Sequence, residues 1–300
     1  MPGTTLYIPS PSKQRLRTLG KPTLFIGSLI LILVVLLGVL APYLGTVDPA
    51  TIDPSMRNRP PGAQITSSAA SGELVSSISL LGTDSLGRDI FSRVAYGTRT
   101  SLIVGVTTAV VSTVAGLCIG LIAGYVRWLD GVLMRVMDGL MAIPGVLFAI
   151  ALVSILRSGV VSVVIAIVIP EIPRVVRLVR SYVLSLREEP YVEAAITVGT
   201  PTPVLLARHM LPNLVSPLIV QSTFICASAI LIEAYLSFLG IGIPPETPTW
   251  GNVMAEGRSL FRLHPSGIFA PGIVLALTIL SLNVVGDALR DILDPKLAKR

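Results

Sequence analysis

The chain is 300 residues long, with 52% hydrophobic and 13% charged residues and a mean hydropathy of +0.79. A soluble domain carries about a quarter charged residues, so this composition excludes a secreted domain, a cytosolic enzyme and a disordered chain and points to a protein whose solvent is lipid. The net charge of +6 comes from basic residues interleaved with apolar runs rather than gathered in one patch, which argues against a nucleic-acid partner.

Residues 1–21 read as a cytoplasmic tail carrying Lys13, Arg15, Arg17 and Lys21. The first uncharged stretch, residues 22–47, is too long for a signal-peptide apolar region of about 7–15 residues. It reads as an uncleaved first transmembrane helix. Residues 48–99 read as an extracytoplasmic loop. Its first part, from Pro54 to Ser79, is rich in Pro, Gly, Ser and Ala and predicts irregular structure. Its second part, LGTDSLGRDIFSRVAYG, predicts a short amphipathic helix capped by Thr83 or Asp84, with Asp89 and Arg93 paired four residues apart.

Residues 100–290 read as a five-helix core. The uncharged intervals run from Thr100 to Val126, Gly139 to Leu156, Ser158 to Pro170, Met210 to Ile232 and Pro265 to Gly286. A spanning helix needs about 17–25 residues. The interval from Ser158 is too short unless its helix continues to about Val179, with Arg174, Arg177 and Arg180 snorkelling to the headgroups. The expected fold class is therefore an all-α membrane protein of six transmembrane helices. Gly116, Gly120 and Gly124 stand at small-xxx-small spacing, which suits either a contact between subunits or close packing within one bundle. After the fifth span, Pro244, Pro245 and Pro248 predict a rigid external turn. Residues 291–300 read as a second cytoplasmic tail. With both termini inside, Lys and Arg favour the inner side by roughly two to one.

The inner segment, 181–212, is the most informative. Pro190 suits the first turn of a helix, Val192, Ala195 and Ile196 share a face, and Gly199 permits a left-handed stop. Pro201 and Pro203 forbid simple continuation, and Pro203 can open a second helix through His209. A bent amphipathic stub of this kind suits docking into a partner's groove.

EAAITVG followed by nine residues and HMLP resembles the EAA signature of permease subunits of ATP-binding-cassette importers. Glu193, Ala194, Ala195, Gly199, Leu211 and Pro212 match, and His209 stands where the peptide-type branch commonly has His. LGTDSLGRDIFSRVAYG, SFLGIGIPPETPTWGNVM and LNVVGDALRDILDPKL resemble the C-type permease of the dipeptide, oligopeptide and nickel branch. The resemblance implies a type I importer permease with the MetI-like fold, in the inner membrane of a bacterial or archaeal cell. It implies a second permease subunit, two ATP-binding subunits and an extracytoplasmic substrate-binding protein as partners. ATP and magnesium would be bound by the ATPase subunits and no cofactor by this chain. The EAA segment would be the coupling helix seated in the ATPase, through which alternating access is driven. Peptides are the expected cargo, with nickel, glutathione or another small solute as the alternative.

Two polar residues in the spans are candidates for lining the pathway, Glu233 and Asn283, since an acid at membrane depth is costly. Asp287 and Arg290 are expected to pair on the surface. His209 and His264 fall on opposite expected sides and share no metal. There is no G-x-x-x-x-G-K-[ST], G-x-S-x-G, H-E-x-x-H or CxxC, and thus no sign of an enzyme. A secondary transporter driven by an ion gradient is a distant alternative, because midplane acids are few.

Overall fold

The computed structural model describes residues 22–68 and 74–293. The basic residues of the N-terminal tail, together with Lys296, Lys299 and Arg300, lie outside the described residues. In chain order the helices are α1 (Pro22–Val39), α2 (Ile90–Tyr125), α3 (Arg127–Ala142), α4 (Gly145–Ile155), α5 (Val160–Arg187), α6 (Pro190–Thr197), α7 (Leu211–Phe238), α8 (Trp250–Gly257) and α9 (Ser266–Leu293).

Four helical stretches among the described residues are long and apolar enough to cross a bilayer: α1, α2, Thr202–Phe238 and α9. A fifth arises if α3 and α4, bent by 87°, are one broken span. The count of six straight spans is not reproduced, although the all-α membrane class is. The break has a local cause. Pro144 pushes the residue before it out of the helical region, and Ile143 adopts φ −95°, ψ 129°. The interval expected as the fourth span is the first part of the 28-residue α5, which passes through Pro170 and Pro173 and ends eight residues beyond the expected limit of Val179. Its second half carries Glu171, Arg174, Arg177 and Arg180, so composition alone does not mark it as a span.

α2 and α5 form the spine. A Cβ placed on Gly116, Gly120 or Gly124 would lie 2.4, 2.6 or 2.7 Å from the Cβ of Val175, Val179 or Val183. The small-residue stripe is therefore packing within one bundle. Because both series ascend together, the two helices run parallel. Gly105 gives α7 the same close approach, at Ile230. α9 packs on α7, and α1 leans on α9 and α2, with Gly27 against Val284 and Gly38 against Thr98. Arg99 closes the end of α1 by donating to the carbonyls of Gly38 (2.5 Å) and Val39 (3.0 Å). The outward faces of α1 and α2 are apolar and exposed, among them Phe25, Ile32, Leu33, Val106 and Val110, as helices facing lipid require.

The segment before α2 departs from expectation in three ways. Part of the stretch expected to be irregular is an antiparallel hairpin, β1 (Ala63–Ser68) with β2 (Leu74–Ser79), in which Ala63 pairs with Ser79 and Ser68 with Leu74. The expected short helix is not separate but forms the first turns of α2. Its N-cap is Asp89, whose carboxylate accepts from the Ser92 N–H at 2.8 Å, rather than Thr83 or Asp84. Finally, Arg93 does not pair with Asp89. It turns to Glu256 of α8 (3.2 Å), and Arg88 bridges Asp84 (2.7 Å) and Glu256 (2.5 Å). Two cations and two anions thus close a mostly buried cluster joining the loop, α2 and α8. The turn beforehand needs Gly87, at φ +81°, because a Cβ there would lie 1.8 Å from the Asp53 carbonyl oxygen.

Candidate functional site

The segment from Pro190 to Pro212 forms a helix, a reversal and a return. Pro190 is the first residue of α6, where its missing N–H costs nothing. The helix stops in a Schellman arrangement. The Gly199 N–H bonds to Ile196 O (2.9 Å) and the Thr200 N–H to Ala195 O (3.0 Å), with Gly199 at φ +82°. Only glycine adopts that conformation at little cost.

The return differs from expectation. Pro203 does not open an independent second helix. The chain turns helical at Thr202, widens into a π-helical turn over Leu205–Met210 and continues as α7. Pro212 supplies the reason: its ring would clash with the carbonyl four residues back in a regular helix, and the Leu211 N–H reaches five residues back to Leu206 O instead.

Val192 anchors α6 by packing, fully buried, into the same core as Leu205, Met210 and Leu214. Ala195 is half-buried against that core, whereas Ile196, expected beside it, is 45% exposed. Glu193, Ala194 and Thr197 face outward, and Glu193 forms no ion pair among the described residues. One charge among small side chains makes a shallow surface suited to close approach by a partner. His209 lies half-buried in the π turn, Leu211 is half-buried and Pro212 exposed. Sequence reasoning missed Asn213, whose amide donates to the Tyr191 hydroxyl (3.1 Å) and to His209 O (2.9 Å), tying α6 to the start of α7. Burial and the nearby negative charge of Glu189 push the Tyr191 hydroxyl above its ordinary pKa. At the root of the stub Arg187 donates to Tyr125 O (3.2 Å) and lies over the Tyr125 ring.

The two residues expected to line a pathway sit differently. Glu233 is completely buried, accepting from Ser101 Oγ (3.1 Å) and Ser237 Oγ (2.8 Å). Ser101 Oγ also accepts the Trp250 N–H (3.4 Å). In this conformation Glu233 faces no open volume and instead knits α2, α7 and α8 together. Asn283 is half-buried on α9. Asp287 and Arg290 form no ion pair with each other. No cluster of three or more metal-ligating side chains occurs among the described residues.

The family model for the binding-protein-dependent transport system inner membrane component matches residues 116–299. A probable peptide ABC transporter permease of Sinorhizobium fredii is 49% identical over 93% of this chain and 91% of its own length. The dipeptide transport system permease DppC of Alkalihalophilus pseudofirmus is 39% identical over 96% and 91%. The glutathione transport system permease GsiD of Pectobacterium atrosepticum is 44% identical over 74% of each chain. Among solved structures, a chain of the inward-facing methionine ABC transporter MetNI superposes with a TM-score of 0.55 at 15% identity, over 67% of this chain and 96% of that one, a likeness of fold. With its several apolar helices, its bent EAA stub and relatives aligned over almost its whole length, this chain belongs to the family of binding-protein-dependent transport system inner membrane components, as a multi-pass permease subunit rather than an enzyme.

Proposed function

We propose that this chain is one of two permease subunits of an ATP-driven importer of small peptides, coupled to two ATP-binding subunits through α6. Peptide cargo is supported by relatives named for peptides, dipeptides and glutathione. Glutathione is itself a peptide derivative, so it falls within the same class. The other partners are a second permease and an extracytoplasmic substrate-binding protein. ATP and magnesium belong to the ATPase subunits. The α6 end of the bundle faces the cytoplasm, as do both termini, in the inner membrane of a prokaryotic cell.

The coupling reading is carried by the construction of α6. Its inner face is fixed by Val192 while Glu193 and Ala194 stand outward. A displacement of α6 by a closing ATPase dimer passes through the Val192 contact and the Asn213–Tyr191 hydrogen bond into α7. α7 is continuous from the π turn to Phe238, so the movement reaches the Glu233 network and α8 at the opposite end. Exposed ion pairs contribute only about 0–1 kcal/mol, so Glu193 acts in placing the stub rather than in holding it.

The test is reconstitution of this chain with a second permease, two ATPase subunits and a binding protein from the same organism. ATP-dependent dipeptide uptake that vanishes without the ATPases is expected. Uptake driven by an ion gradient alone, without ATPases, would overturn the assignment.

A further inference from the structure

Arg174 lies at an unexpected depth. Val175, its neighbour, packs on Gly116 of the parallel α2. The uncharged run of α2 extends from Thr100 to Val126 and is centred on Thr113. Gly116 is three residues from that centre, about 4.5 Å along the helix. Arg174 therefore sits within about 5 Å of the middle of the apolar thickness, roughly 10 Å from the nearer interface of a 30 Å core. Yet its side chain is 55% exposed, while its partner Glu171 is only 4% exposed. Both Glu171 oxygens lie near Nη1, at 3.1 and 3.2 Å. Nε and Nη2 have no partner among the described residues, so half of the guanidinium fork is open.

A second observation falls on the same side of α5. The α3–α4 break lies beside Pro170, one helical turn before Arg174: a Cβ on Gly145 would meet the Pro170 ring at 3.6 Å. Residues 141–144 at the break are exposed. Non-helical backbone at membrane depth is tolerated only against protein or water, and a charge exposed to hydrocarbon is costly. Together they exclude lipid from this face.

We infer that Arg174, held by Glu171, lines the water-filled translocation path at mid-membrane and offers its open donors to a carboxylate of the passing solute. The carboxylate assignment depends on the peptide reading above, a free C-terminus being the carboxylate that every linear peptide presents. A guanidinium fork matches such a group in geometry and charge, and partial neutralisation by Glu171 keeps the hold weak enough for release.

Two experiments on the assembled importer test this. In lipid nanodiscs, with Cys118 and Cys226 replaced by Ala, Arg174→Cys is expected to react with a charged, membrane-impermeant thiol reagent, whereas Val110→Cys on the apolar face of α2 does not. Failure of Arg174→Cys to react in both the nucleotide-free and ATP-bound states would overturn the pathway assignment. In proteoliposomes, Arg174→Gln is expected to lower dipeptide uptake roughly tenfold, the scale of one charge-assisted hydrogen bond. Arg174→Lys should restore most of it, and uptake of the C-terminal amide should not fall. Equal losses for dipeptide and amide, or unchanged dipeptide uptake, would overturn the carboxylate role. A wild-type importer that moves neither peptide contradicts the peptide reading and with it the carboxylate, while the labelling still decides whether Arg174 faces the path.

Discussion

Gly120 of α2 and Val179 of α5 meet so closely that a Cβ on the glycine would lie 2.6 Å from the valine Cβ. The same relationship recurs one turn on either side, so the spine depends on three glycines having no side chain. Overpacking a well-filled interface costs typically about 1–3 kcal/mol. Gly120→Val is expected to lower the melting temperature of the solubilised protein by several degrees. Val179→Ala in the same chain recovers part of the loss. Gly139→Ala, where a Cβ would meet nothing within 4 Å, is expected to be neutral or mildly stabilising. A thermal-shift comparison of the three variants with the unaltered chain checks this; equal effects at positions 120 and 139 would contradict the packing.

The buried cluster of Asp84, Arg88, Arg93 and Glu256 balances two charges of each sign. Removing one member leaves the others uncompensated, which costs about 3–5 kcal/mol at buried sites. Glu256→Gln should therefore loosen the junction of α2 with α8, read as faster hydrogen exchange in both elements. Replacing Arg93 by Met as well should restore much of the protection, because the cluster is then balanced again. Unchanged exchange in Glu256→Gln would show that the cluster does not hold the junction.

Gly199 is needed for its left-handed backbone, and Glu193 for the surface it presents. Gly199→Val and Glu193→Lys are expected to insert normally and to reduce uptake at least tenfold while the ATPase subunits still hydrolyse ATP. Parallel measurement of uptake and phosphate release separates uncoupling from loss of assembly. Normal uptake in both variants would remove the coupling role.

Docking also predicts a protection pattern. The stretch from Tyr191 to Leu211 contains exposed residues at Tyr191, Ile196, Val198 and Val204. Limited proteolysis is expected to cut it in the permease pair alone and to spare it once the ATPases are bound. Equal cleavage with and without them counts against docking there.

Much of this was legible in the sequence because lipid imposes a simple rule: uncharged runs of sufficient length become helices. α1, α2, α7 and α9 follow from it directly. The reversal at Gly199 followed from proline and glycine placement, which acts through local backbone sterics. What escaped was set by contacts distant in sequence. Nothing near Arg93 announced that its partner would be Glu256 rather than Asp89, and nothing near Glu233 announced its burial among hydroxyls from α2 and α7. The depth of Arg174 was hidden for the same reason. Its depth is fixed by which glycine of α2 its neighbour meets, a register that periodicity along α5 does not encode. The α3–α4 break did carry a local signal, Pro144, which the apolar content around it concealed.

The most direct measurement is cross-linking from the outward face of α6. With Cys118 and Cys226 replaced by Ala, Ala194→Cys in the complete importer is treated with a short bifunctional thiol reagent after a cysteine has been placed in the ATPase cleft. A covalent permease–ATPase adduct whose yield changes when ATP binds is the expected result. No adduct in any nucleotide state, from a complex that still hydrolyses ATP and imports, would contradict the entry of mechanical work through α6.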